Sequence, residues 1–508
     1  MSAQPLVIEF DDAPLHAPVP KLAYSFARGK GVLVAEHEGG PCLMLREGAD
    51  PRGLIEARRA IGVPCHVQRL SAAAFDRLLS ETYAGDVMVT AAHDDLPVDG
   101  LEGFLGDMPT AADLLDTQDD APVIRLINGL IAEAVRSGAS DIHIEPFEST
   151  LSIRLRIDGV LRETLSLHSR LAPVLVSRIK VMARLDIAEK RIPQDGRIPL
   201  ALGGKTLDVR VSTLPSRAGE RVVLRILDKE QADLSLQALG MRPEMLAAYQ
   251  RALSEPNGII LVTGPTGSGK TTTLYAGLAT LNDASRNILT IEDPVEYAVE
   301  GVGQTQVNTR VGMTFATGLR AILRQDPDVV MVGEIRDSET ASIAVQASLT
   351  GHLVLSTVHT NDAAGAVTRL RDMGIEPFLL ASTLRLIMAQ RLVRRVCTAC
   401  AEEVTVDAAQ AGLSGLRTGT RIRRAVGCDA CRNTGYSGRI GIYEAIRVTD
   451  EVRRLIASGA PEDQYQPHLS EAGGLAVSAR ALIAAGQTTI EEVLRVTAHG
   501  GGDDHASV

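Results

Sequence analysis

The chain of 508 residues is 45% hydrophobic and 23% charged, and its formal net charge is -11. This length predicts about three domains with packed cores. The acidic balance argues against binding to nucleic acid or anionic lipid, because both need clustered basic surface. No apolar run approaches the roughly 18 residues that span a bilayer, and the first residues lack the parts of a secretion signal. We therefore expect a cytoplasmic protein that reaches a membrane only through partners.

The N-terminal part divides into a mixed segment and an acidic one. Residues 1–93 contain strand-like and helix-like pieces and no chemical motif. Residues 94–120 carry many Asp and Glu, no Lys or Arg, and several Pro and Gly. Such a self-repelling, interrupted stretch is typical of a linker. We predict an N-terminal domain at 1–93 and an acidic linker at 94–120.

A second domain is predicted at residues 121–236. It begins with a helical pattern that ends at Gly138, a residue suited to a helix C-terminus. Apolar and charged residues then alternate through two strands, and Asp158-Gly159 predicts the hairpin turn between them. Further strands are predicted in KTLDVRVSTL and ERVVLRIL. Together these elements indicate a small α+β domain.

A third domain is predicted at residues 240–508, where apolar strands alternate with helical segments. The strands are GIILVTG, NILTIED, DVVMVGE and HLVLSTV. Strands that alternate with helices form a mainly parallel sheet covered on both faces. The fold class predicted for this part is therefore α/β.

A phosphate-binding loop is predicted between the strand GIILVT and the helical segment TTTLYAGLATL. Glycine in such a loop lets main-chain N–H groups surround phosphates at a helix N-terminus. Lys270 places a positive charge at the β- and γ-phosphates, and the Thr271 hydroxyl can bind Mg²⁺. The alternative is a glycine-rich turn that binds no ligand. The predicted cofactor-binding residues are Gly264, Pro265, Thr266, Gly267, Ser268, Gly269, Lys270, Thr271, Thr272 and, from a later strand end, Asp293.

Three carboxylates at predicted strand ends are candidates for a role in hydrolysis. Glu334 follows the strand DVVMVG, at the edge where open α/β sheets bind ligands, and can orient an attacking water. Its neighbour Gly333 has no side chain for a metal, so Glu292 and Asp293 are candidates to position Mg²⁺ or water. The alternative is that all three are solvated carboxylates.

One histidine and five arginines complete the predicted catalytic set. A histidine after the strand HLVLSTV can donate a hydrogen bond to a γ-phosphate. An arginine against the transition-state charge accelerates phosphoryl transfer by about 10³- to 10⁵-fold, and in a ring a neighbouring subunit or domain can supply it. The alternatives are a turn histidine and arginines in surface ion pairs. The residues are His359, Arg210, Arg225, Arg320, Arg324 and Arg336.

Four of the six cysteines form two CxxC pairs separated by 27 residues. Four thiolates in this arrangement suit a tetrahedral structural Zn²⁺ site, although the spacing is longer than usual. The alternative is four reduced thiols without metal. The predicted ligands are Cys397, Cys400, Cys428 and Cys431, and Cys42 and Cys65 are left over as buried or idle thiols.

Several motifs together resemble one family. They are GPTGSGKTTT, LTIEDPVEY, RAILRQDPDVVMVGEIRDSETA and GHLVLSTVHTNDAAGAVTRL, accompanied by ASDIHIEP, RIPQDGR and GYSGRIGIYE. Over roughly residues 121–500 the chain resembles the secretion ATPases of type II secretion and type IV pili. In that family the four central motifs are called Walker A, Asp box, Walker B and His box.

The resemblance implies a RecA-like P-loop ATPase core with a zinc-binding insertion at about 395–434. It implies a small PAS-like α+β domain and an N-terminal α/β domain before that core. It further implies a homo-hexamer that hydrolyses ATP between the second and third domains, with Glu334, His359 and the arginines taking part. The segments KLAYSFARGKGVLV of the first domain and LLDTQDDAPVIRLINGLIAEAVRSGASDIHIE look like the type II branch. That branch implies binding to the cytoplasmic domain of an inner-membrane platform protein and a motor for pseudopilus assembly.

Three other functions compete with this secretion motor. A pilus-extension motor of the same family would differ by its partner. A nucleotide-dependent assembly scaffold would scarcely hydrolyse ATP, and Glu334 together with the arginines argues against it. A DNA-translocating motor is disfavoured by the acidic balance and by the lack of a basic stripe with interleaved aromatic residues.

Overall fold

The structure is a computed structural model that describes residues 22, 24–37, 40–62, 65–72, 74–75, 78–79, 82, 121–202, 205–228, 235–283, 285–469 and 473–497. The chain divides into two compact units, Met1–Glu230 and Gln231–Val508. The first unit contains the predicted domain at 1–93 and most of the one at 121–236, whereas Leu236 packs in the core of the second unit. The predicted acidic linker at 94–120 lies outside the described residues.

The N-terminal part of the first unit is a small sheet with two helices. Its described elements are α1 (Tyr24–Lys30), β1 (Val32–His37), β2 (Gly40–Arg46), α2 (Pro51–Ile61) and β3 (His66–Leu70). Strand β2 lies between an antiparallel β1 and a parallel β3. Leu33 and Met44 of this sheet share a core with Val181 from the following part of the unit. The two parts therefore stabilise each other by common apolar burial.

The C-terminal part of the first unit is an antiparallel sheet packed against two helices. Its elements are α3 (Ala121–Arg136), β4 (Ala139–Pro146), β5 (Thr150–Ile157), β6 (Val160–His168), α4 (Ala172–Met182), β7 (Gln194–Leu202), β8 (Lys205–Ser216) and β9 (Gly219–Asp228). The strand order in the described chain is β6-β5-β4-β9-β8-β7. Ile142 and Ile144 point into the core formed with both helices, as their alternation predicts. Asp158 (φ +49°) and Gly159 (φ +83°) form the turn between β5 and β6.

The second unit is built on a larger, mainly parallel sheet. Its strands are β10 (Gly258–Thr263), β11 (Ile288–Glu292), β12 (Gly303–Gln306), β13 (Val329–Val332), β14 (Leu353–Val358), β15 (Leu384–Val396), and, later in the chain, β18 (Tyr436–Arg447). Among the described residues the order is β12-β11-β13-β14-β10-β15-β18. Only the pairing of β15 with β18 is antiparallel in this sheet as described.

Helices and a small hairpin surround this sheet. They are α5 (Pro243–Leu253), α6 (Lys270–Leu281), α7 (Phe315–Ile322), α8 (Ser338–Leu349), α9 (Ala363–Asp372), α10 (Pro377–Thr383), β16 (Glu402–Thr405), α11 (Ala408–Ser414), β17 (Arg421–Arg424), α12 (Asp450–Ala457), α13 (Leu475–Ala484) and α14 (Ile490–Thr497). None of the helices in the described part of the chain is both long and apolar enough to cross a membrane.

The central strand β10 is buried on both faces. Ile259 and Leu261 pack in one core with residues of α7, α8 and α9, and Ile260 and Val262 pack in the opposite core with residues of α5 and α6. A sheet that is covered on both sides needs apolar residues at every position, which explains the uninterrupted apolar runs. The predicted α/β class with a mainly parallel sheet is confirmed.

Candidate functional site

The predicted phosphate-binding loop joins β10 to α6. The strand ends at Thr263, and Gly269 is the residue that precedes the helix. Gly264, Gly267 and Gly269 have φ angles of +145°, +78° and +88°. Residues with a Cβ atom rarely adopt these angles. The loop conformation therefore requires glycine at three positions, as a backbone wrapped around phosphate does.

Two of these glycines are also required by close packing against β15. A Cβ atom at Gly264 would lie 2.3 Å from the carbonyl oxygen of Gln390, and one at Gly269 would lie 2.8 Å from Gln390 Nε2. Gln390 is itself fixed, because its buried Oε1 accepts a hydrogen bond of 2.7 Å from Thr273 of α6. A Cβ atom at Gly267 would meet nothing within 4 Å in the described chain. The loop is thus closed by Gln390 on one side and open at Gly267.

The Lys270 side chain folds back over the loop. Its Nζ donates hydrogen bonds to the carbonyl oxygens of Gly264 (2.7 Å) and Pro265 (3.1 Å). Burial lowers the pKa of Lys270 to about 8, although the negative charge of Glu334 raises it. The ammonium group is therefore largely protonated at neutral pH. A charged amine inside a glycine loop fits the terminal phosphates of a nucleotide.

Ser268 adds a polar group to the same loop. Its hydroxyl is buried and has no hydrogen-bond partner among the described residues. Buried hydroxyls are normally hydrogen-bonded, so an unsatisfied one at a ligand loop suits an acceptor or donor on the ligand. Thr271 is exposed in the first turn of α6, where its hydroxyl is accessible to a metal ion. These residues fit a Mg²⁺–nucleotide.

Glu334, His359 and Arg336 come together at the carboxyl edge of the sheet. The strands β13 and β14 are direct neighbours, so the residues after them lie side by side. Glu334 Oε1 is 2.7 Å from His359 Nε2, and Glu334 Oε2 is 2.8 Å from the guanidinium group of Arg336. The Glu334 side chain is 16% exposed, against 45% for His359 and 60% for Arg336. The carboxylate therefore lies beneath two more exposed hydrogen-bond partners.

These partners determine the chemistry of Glu334. Burial alone would raise the pKa of its carboxyl group, but the hydrogen bonds from His359 and Arg336 lower the pKa to about 2. A carboxylate with this pKa is ionised at neutral pH and is a weak base, because proton transfer is most efficient near the working pH. Glu334 is thus suited to orienting water or binding a cation.

Glu292 and Asp293 take different positions. The buried carboxylate of Glu292 accepts hydrogen bonds from Tyr275 of α6, from Thr290 (2.6 Å) and from Gln304 of β12 (3.0 Å). Asp293 is exposed and close enough to the Arg336 guanidinium to help raise the pKa of that group. The structure therefore places Asp293 beside the Glu334 cluster and Glu292 in a buried hydrogen-bond network.

Arg320 of α7 and Arg324, which follows that helix, contact groups other than Glu334. Arg320 pairs with Glu339 at 2.6 Å, and Arg324 donates a hydrogen bond of 2.9 Å to the carbonyl oxygen of Arg320. Both side chains belong to exposed residues. Among the predicted arginines of this unit, the structure brings Arg336 to Glu334.

Arg210 and Arg225 belong to the first unit, where they stand in a row across the antiparallel sheet. Arg197, Arg210 and Arg225 are direct cross-strand neighbours on β7, β8 and β9. Arg225 lies 2.9 Å and Arg156 3.6 Å from the carboxylate of Asp141 on β4. Like charges that are opposite on adjacent strands repel each other. Arg197 pairs with Asp208 at 3.7 Å, so carboxylates of the same sheet reduce this repulsion at Arg197 and at Arg225.

The four predicted zinc ligands form a compact cluster. Their Sγ atoms lie within 4.8 Å of one another. Three of the distances are 4.0 Å (Cys397 to Cys428), 3.8 Å (Cys400 to Cys431) and 3.8 Å (Cys428 to Cys431). Tetrahedral Zn²⁺ with bonds of about 2.3 Å separates its sulfur ligands by about 3.8 Å. The cluster therefore has the size that zinc requires.

Main-chain donors around the cluster favour thiolates. The N–H group of Gly427 donates to Cys400 Sγ (3.3 Å), and those of Cys428 and Gly435 donate to Cys431 Sγ (3.2 Å each). Gly427 (φ +131°) and Gly435 (φ +75°) have angles that give these amides their direction. Hydrogen bonds to a charged sulfur stabilise the form that binds metal.

Two family models match this chain. Residues 116–495 match the type II/IV secretion system protein family, and residues 21–83 match an N-terminal domain of GSPII protein E. The chain belongs to the type II/IV secretion system protein family. The first match covers most of the second unit and the antiparallel sheet, and the second covers the small N-terminal sheet.

Individual relatives agree with this family. Type II secretion system protein E of Aeromonas hydrophila is 52% identical over 494 residues, which are 96% of this chain and 99% of that protein. Type II secretion system ATPase E of Vibrio cholerae is 54% identical over 450 residues, which are 87% of this chain and 90% of that protein. The X-ray structure of the Yersinia pseudotuberculosis ATPase DotB covers 72% of this chain and 92% of its own, with 22% identity and a TM-score of 0.52, and shows a shared fold. The predicted family and the predicted enzyme class, a P-loop ATPase, are confirmed.

Gln390 contacts the site of this secretion ATPase but was absent from the predicted residues. It lies in β15 directly after the buried apolar residues Met388 and Ala389, and its hydrogen-bond partner Thr273 is 117 positions away. A single buried glutamine in a strand of the parallel sheet is an unusual polar residue, and that is the signal that could have indicated it.

Proposed function

We propose that this chain is the ATP-hydrolysing motor of a type II secretion system and drives pseudopilus assembly as a homo-hexamer at the inner membrane. One observation carries the proposal. The loop with Lys270, the His359 segment and the Glu334 segment follow β10, β14 and β13, which are adjacent in the sheet. The match of residues 21–83 to an N-terminal domain of GSPII protein E favours the type II motor over a pilus-extension motor.

In this proposal the main chain and Lys270 bind the phosphates of ATP through the loop at 264–272. Thr271 and Asp293 hold Mg²⁺, which neutralises charge on the transferring phosphoryl group. Glu334 orients water, and His359 and Arg336 hold its carboxylate in place by hydrogen bonds. The same two side chains would donate hydrogen bonds to a phosphate group of the bound nucleotide.

Arginines from another copy of the chain are part of the same proposal. Arg210 and Arg225, which are cross-strand neighbours, would supply positive charge to a nucleotide held by a neighbouring subunit. ATP turnover would then rise as subunits associate.

Two further assignments concern zinc and the partner. We propose that Cys397, Cys400, Cys428 and Cys431 hold a structural Zn²⁺ ion, because their sulfur atoms have tetrahedral spacing. We propose that the domain at 1–93 binds the cytoplasmic domain of an inner-membrane platform protein, which would attach the motor to the membrane from the cytoplasm.

The decisive experiment measures ATP turnover against protein concentration, with and without the cytoplasmic fragment of the platform protein. We expect the rate per chain to rise with association, and sedimentation to give the mass of a hexamer. Lys270→Ala should abolish turnover, and Lys190→Ala, which changes an exposed lysine of the first unit, should leave it unchanged. A rate that is independent of concentration, or full activity in Lys270→Ala, would contradict the proposal.

A further inference from the structure

Thr263 is the last residue of β10 and immediately precedes the phosphate-binding loop. Its side chain is fully buried. The hydroxyl oxygen accepts a hydrogen bond of 2.9 Å from Thr360 N and lies 2.6 Å from the hydroxyl oxygen of Thr360. The carbonyl oxygens of Thr360 and Val358 are 3.0 Å and 3.1 Å from it. Val358 and Thr360 are the residues on either side of His359. One hydroxyl thus holds the main chain before and after the imidazole.

Thr357 has the same relation to Glu334. Its hydroxyl donates a hydrogen bond of 2.8 Å to the carbonyl oxygen of Gly333, and its own carbonyl oxygen accepts a bond of 2.9 Å from Ile335 N. Gly333 and Ile335 are the residues on either side of Glu334. Thr357 is also buried.

The two threonines therefore form a chain of contacts from the phosphate loop to the carboxylate. Thr263 fixes the segment with His359, and Thr357, two positions before His359, fixes the segment with Glu334. Between these two segments, His359 Nε2 lies 2.7 Å from Glu334 Oε1. Glu334 and His359 lie beyond the ends of β13 and β14, where these side-chain hydrogen bonds supplement the main-chain bonds between neighbouring segments.

We propose that Thr263 and Thr357 are positioning residues, whose hydrogen bonds set the distance and orientation of the His359–Glu334 pair during ATP hydrolysis. The proposal rests on the ATPase function proposed above. Neither residue touches the reacting atoms. Each acts through the main chain next to the residue that does, so its loss should lower kcat more than it changes nucleotide affinity.

The test is a double-mutant cycle in the full chain. Thr263→Val keeps the shape of the side chain and removes the hydroxyl, and we expect kcat to fall about 10- to 100-fold, because small displacements of catalytic groups have effects of that size. The KM for ATP and the affinity for a fluorescent ATP analogue should stay within about twofold, since a residue that acts through the reacting groups changes kcat alone. In the His359→Ala background, the same Thr263→Val change should lower kcat by less than about twofold, because residues that act through one another are not additive.

Three further variants exclude a general structural effect. Thr263→Ser keeps the hydroxyl and should restore most of the activity. Thr383→Val removes a buried hydroxyl that donates to Leu379 O (2.7 Å) at the end of α10, and should leave kcat unchanged. Thr357→Val is an independent second arm that should lower kcat as Thr263→Val does, and it keeps the test open if Thr263→Val does not fold.

The outcomes separate the two proposals. Equal kcat in wild type and Lys270→Ala would refute the ATPase function and this inference with it. An active wild type with unchanged kcat in both Thr263→Val and Thr357→Val would overturn the inference alone. So would an equal fold-loss for Thr263→Val with and without His359, since the threonine would then act on the phosphate loop rather than on the imidazole.

Discussion

The two large sheets of this protein contain charged side chains in opposite places. On the antiparallel sheet, Asp141 and Glu145 lie inside strand β4 and are buried by arginines of neighbouring strands. On the parallel sheet, β10, β13 and β14 contain no ionisable residue, and the first ones after them are Lys270, Glu334 and His359. The reason is burial, because helices cover both faces of the parallel sheet whereas the antiparallel sheet keeps a polar face.

This difference predicts which charges support the fold and which belong to the proposed ATPase site. Inside a strand, a carboxylate is compensated by arginines at fixed cross-strand positions and supports the sheet. At a strand end, the groups remain partly exposed and can exchange a protein partner for a ligand. Removing a carboxylate from inside the antiparallel sheet should therefore affect stability, and removing one from the proposed site at the ends of the parallel strands should affect turnover.

The largest effect is expected for Glu334→Gln at the edge of the parallel sheet. Loss of the negative charge should lower ATP turnover about 10²- to 10³-fold, because electrostatic groups at a reacting centre have effects of this size. Nucleotide affinity and the unfolding midpoint should change little. Glu403→Gln, which alters an exposed carboxylate paired with Arg421, is the matched control and should keep wild-type turnover. Unchanged turnover in Glu334→Gln would remove the carboxylate from the mechanism.

The next largest effect is expected for the cluster of four cysteines, which lie outside the strands of both large sheets. Cys397→Ser should reduce the zinc content of the purified chain from near one ion to near zero and lower the stability of the second unit, because a structural metal contributes directly to folding. Metal analysis and thermal unfolding measure both effects. Cys65→Ser changes a cysteine outside the cluster and should retain zinc. Full zinc content in Cys397→Ser would contradict the assignment.

A smaller effect is expected for Asp141→Asn inside the antiparallel sheet. The amide keeps the shape but leaves Arg225 and Arg156 without their carboxylate. Breaking a buried ion pair costs about 3–5 kcal/mol, and the half-exposed arginines reduce this to about 1–3 kcal/mol of unfolding free energy. Urea unfolding of the full chain measures the change. Glu148→Gln removes an exposed partner of Arg217 and should have no measurable effect. Equal stability of both variants would contradict the claim that buried carboxylates stabilise the antiparallel sheet.

The smallest effect is the pH dependence of nucleotide binding. Lys270 has a pKa of about 8, and in the proposed site its protonated form binds the triphosphate. The proton is therefore retained below that pKa and lost above it, so affinity should fall by up to about tenfold for each pH unit above 8. Titrations with an ATP analogue between about pH 7.5 and 9.5 measure this slope. Lys270→Ala should bind more weakly with a flat profile, and an equal slope in both proteins would assign the titration to another group.

Much of the fold could be predicted because its causes are local. The apolar runs of β10, β13 and β14 indicate strands buried on both faces, and the turn at Asp158-Gly159 follows from two adjacent residues. The phosphate-binding loop is equally local, since its three glycines and Lys270 lie within seven consecutive positions. Residues that are contiguous in the chain need no knowledge of the rest of the molecule.

The buried network of Glu292 could not be predicted in the same way. Glu292 and Asp293 are consecutive in the sequence. Strand geometry nevertheless turns the Glu292 carboxylate toward Tyr275 and Gln304 and leaves Asp293 exposed. The same limit applies to the arginines, because five candidates have similar sequence contexts and only contacts distinguish them. Side-chain direction and long-range pairing decide these cases.

The sequence alone determined the glycine-rich loop, the paired cysteines and the alternation of strands with helices, since each depends on spacing along the chain. The tertiary structure decided that Glu334 meets His359 and Arg336, that Gln390 closes the loop, and that two threonines hold the segments between them. These contacts join positions that are distant in sequence. They exist only because the strand order places β13, β14, β10 and β15 next to one another.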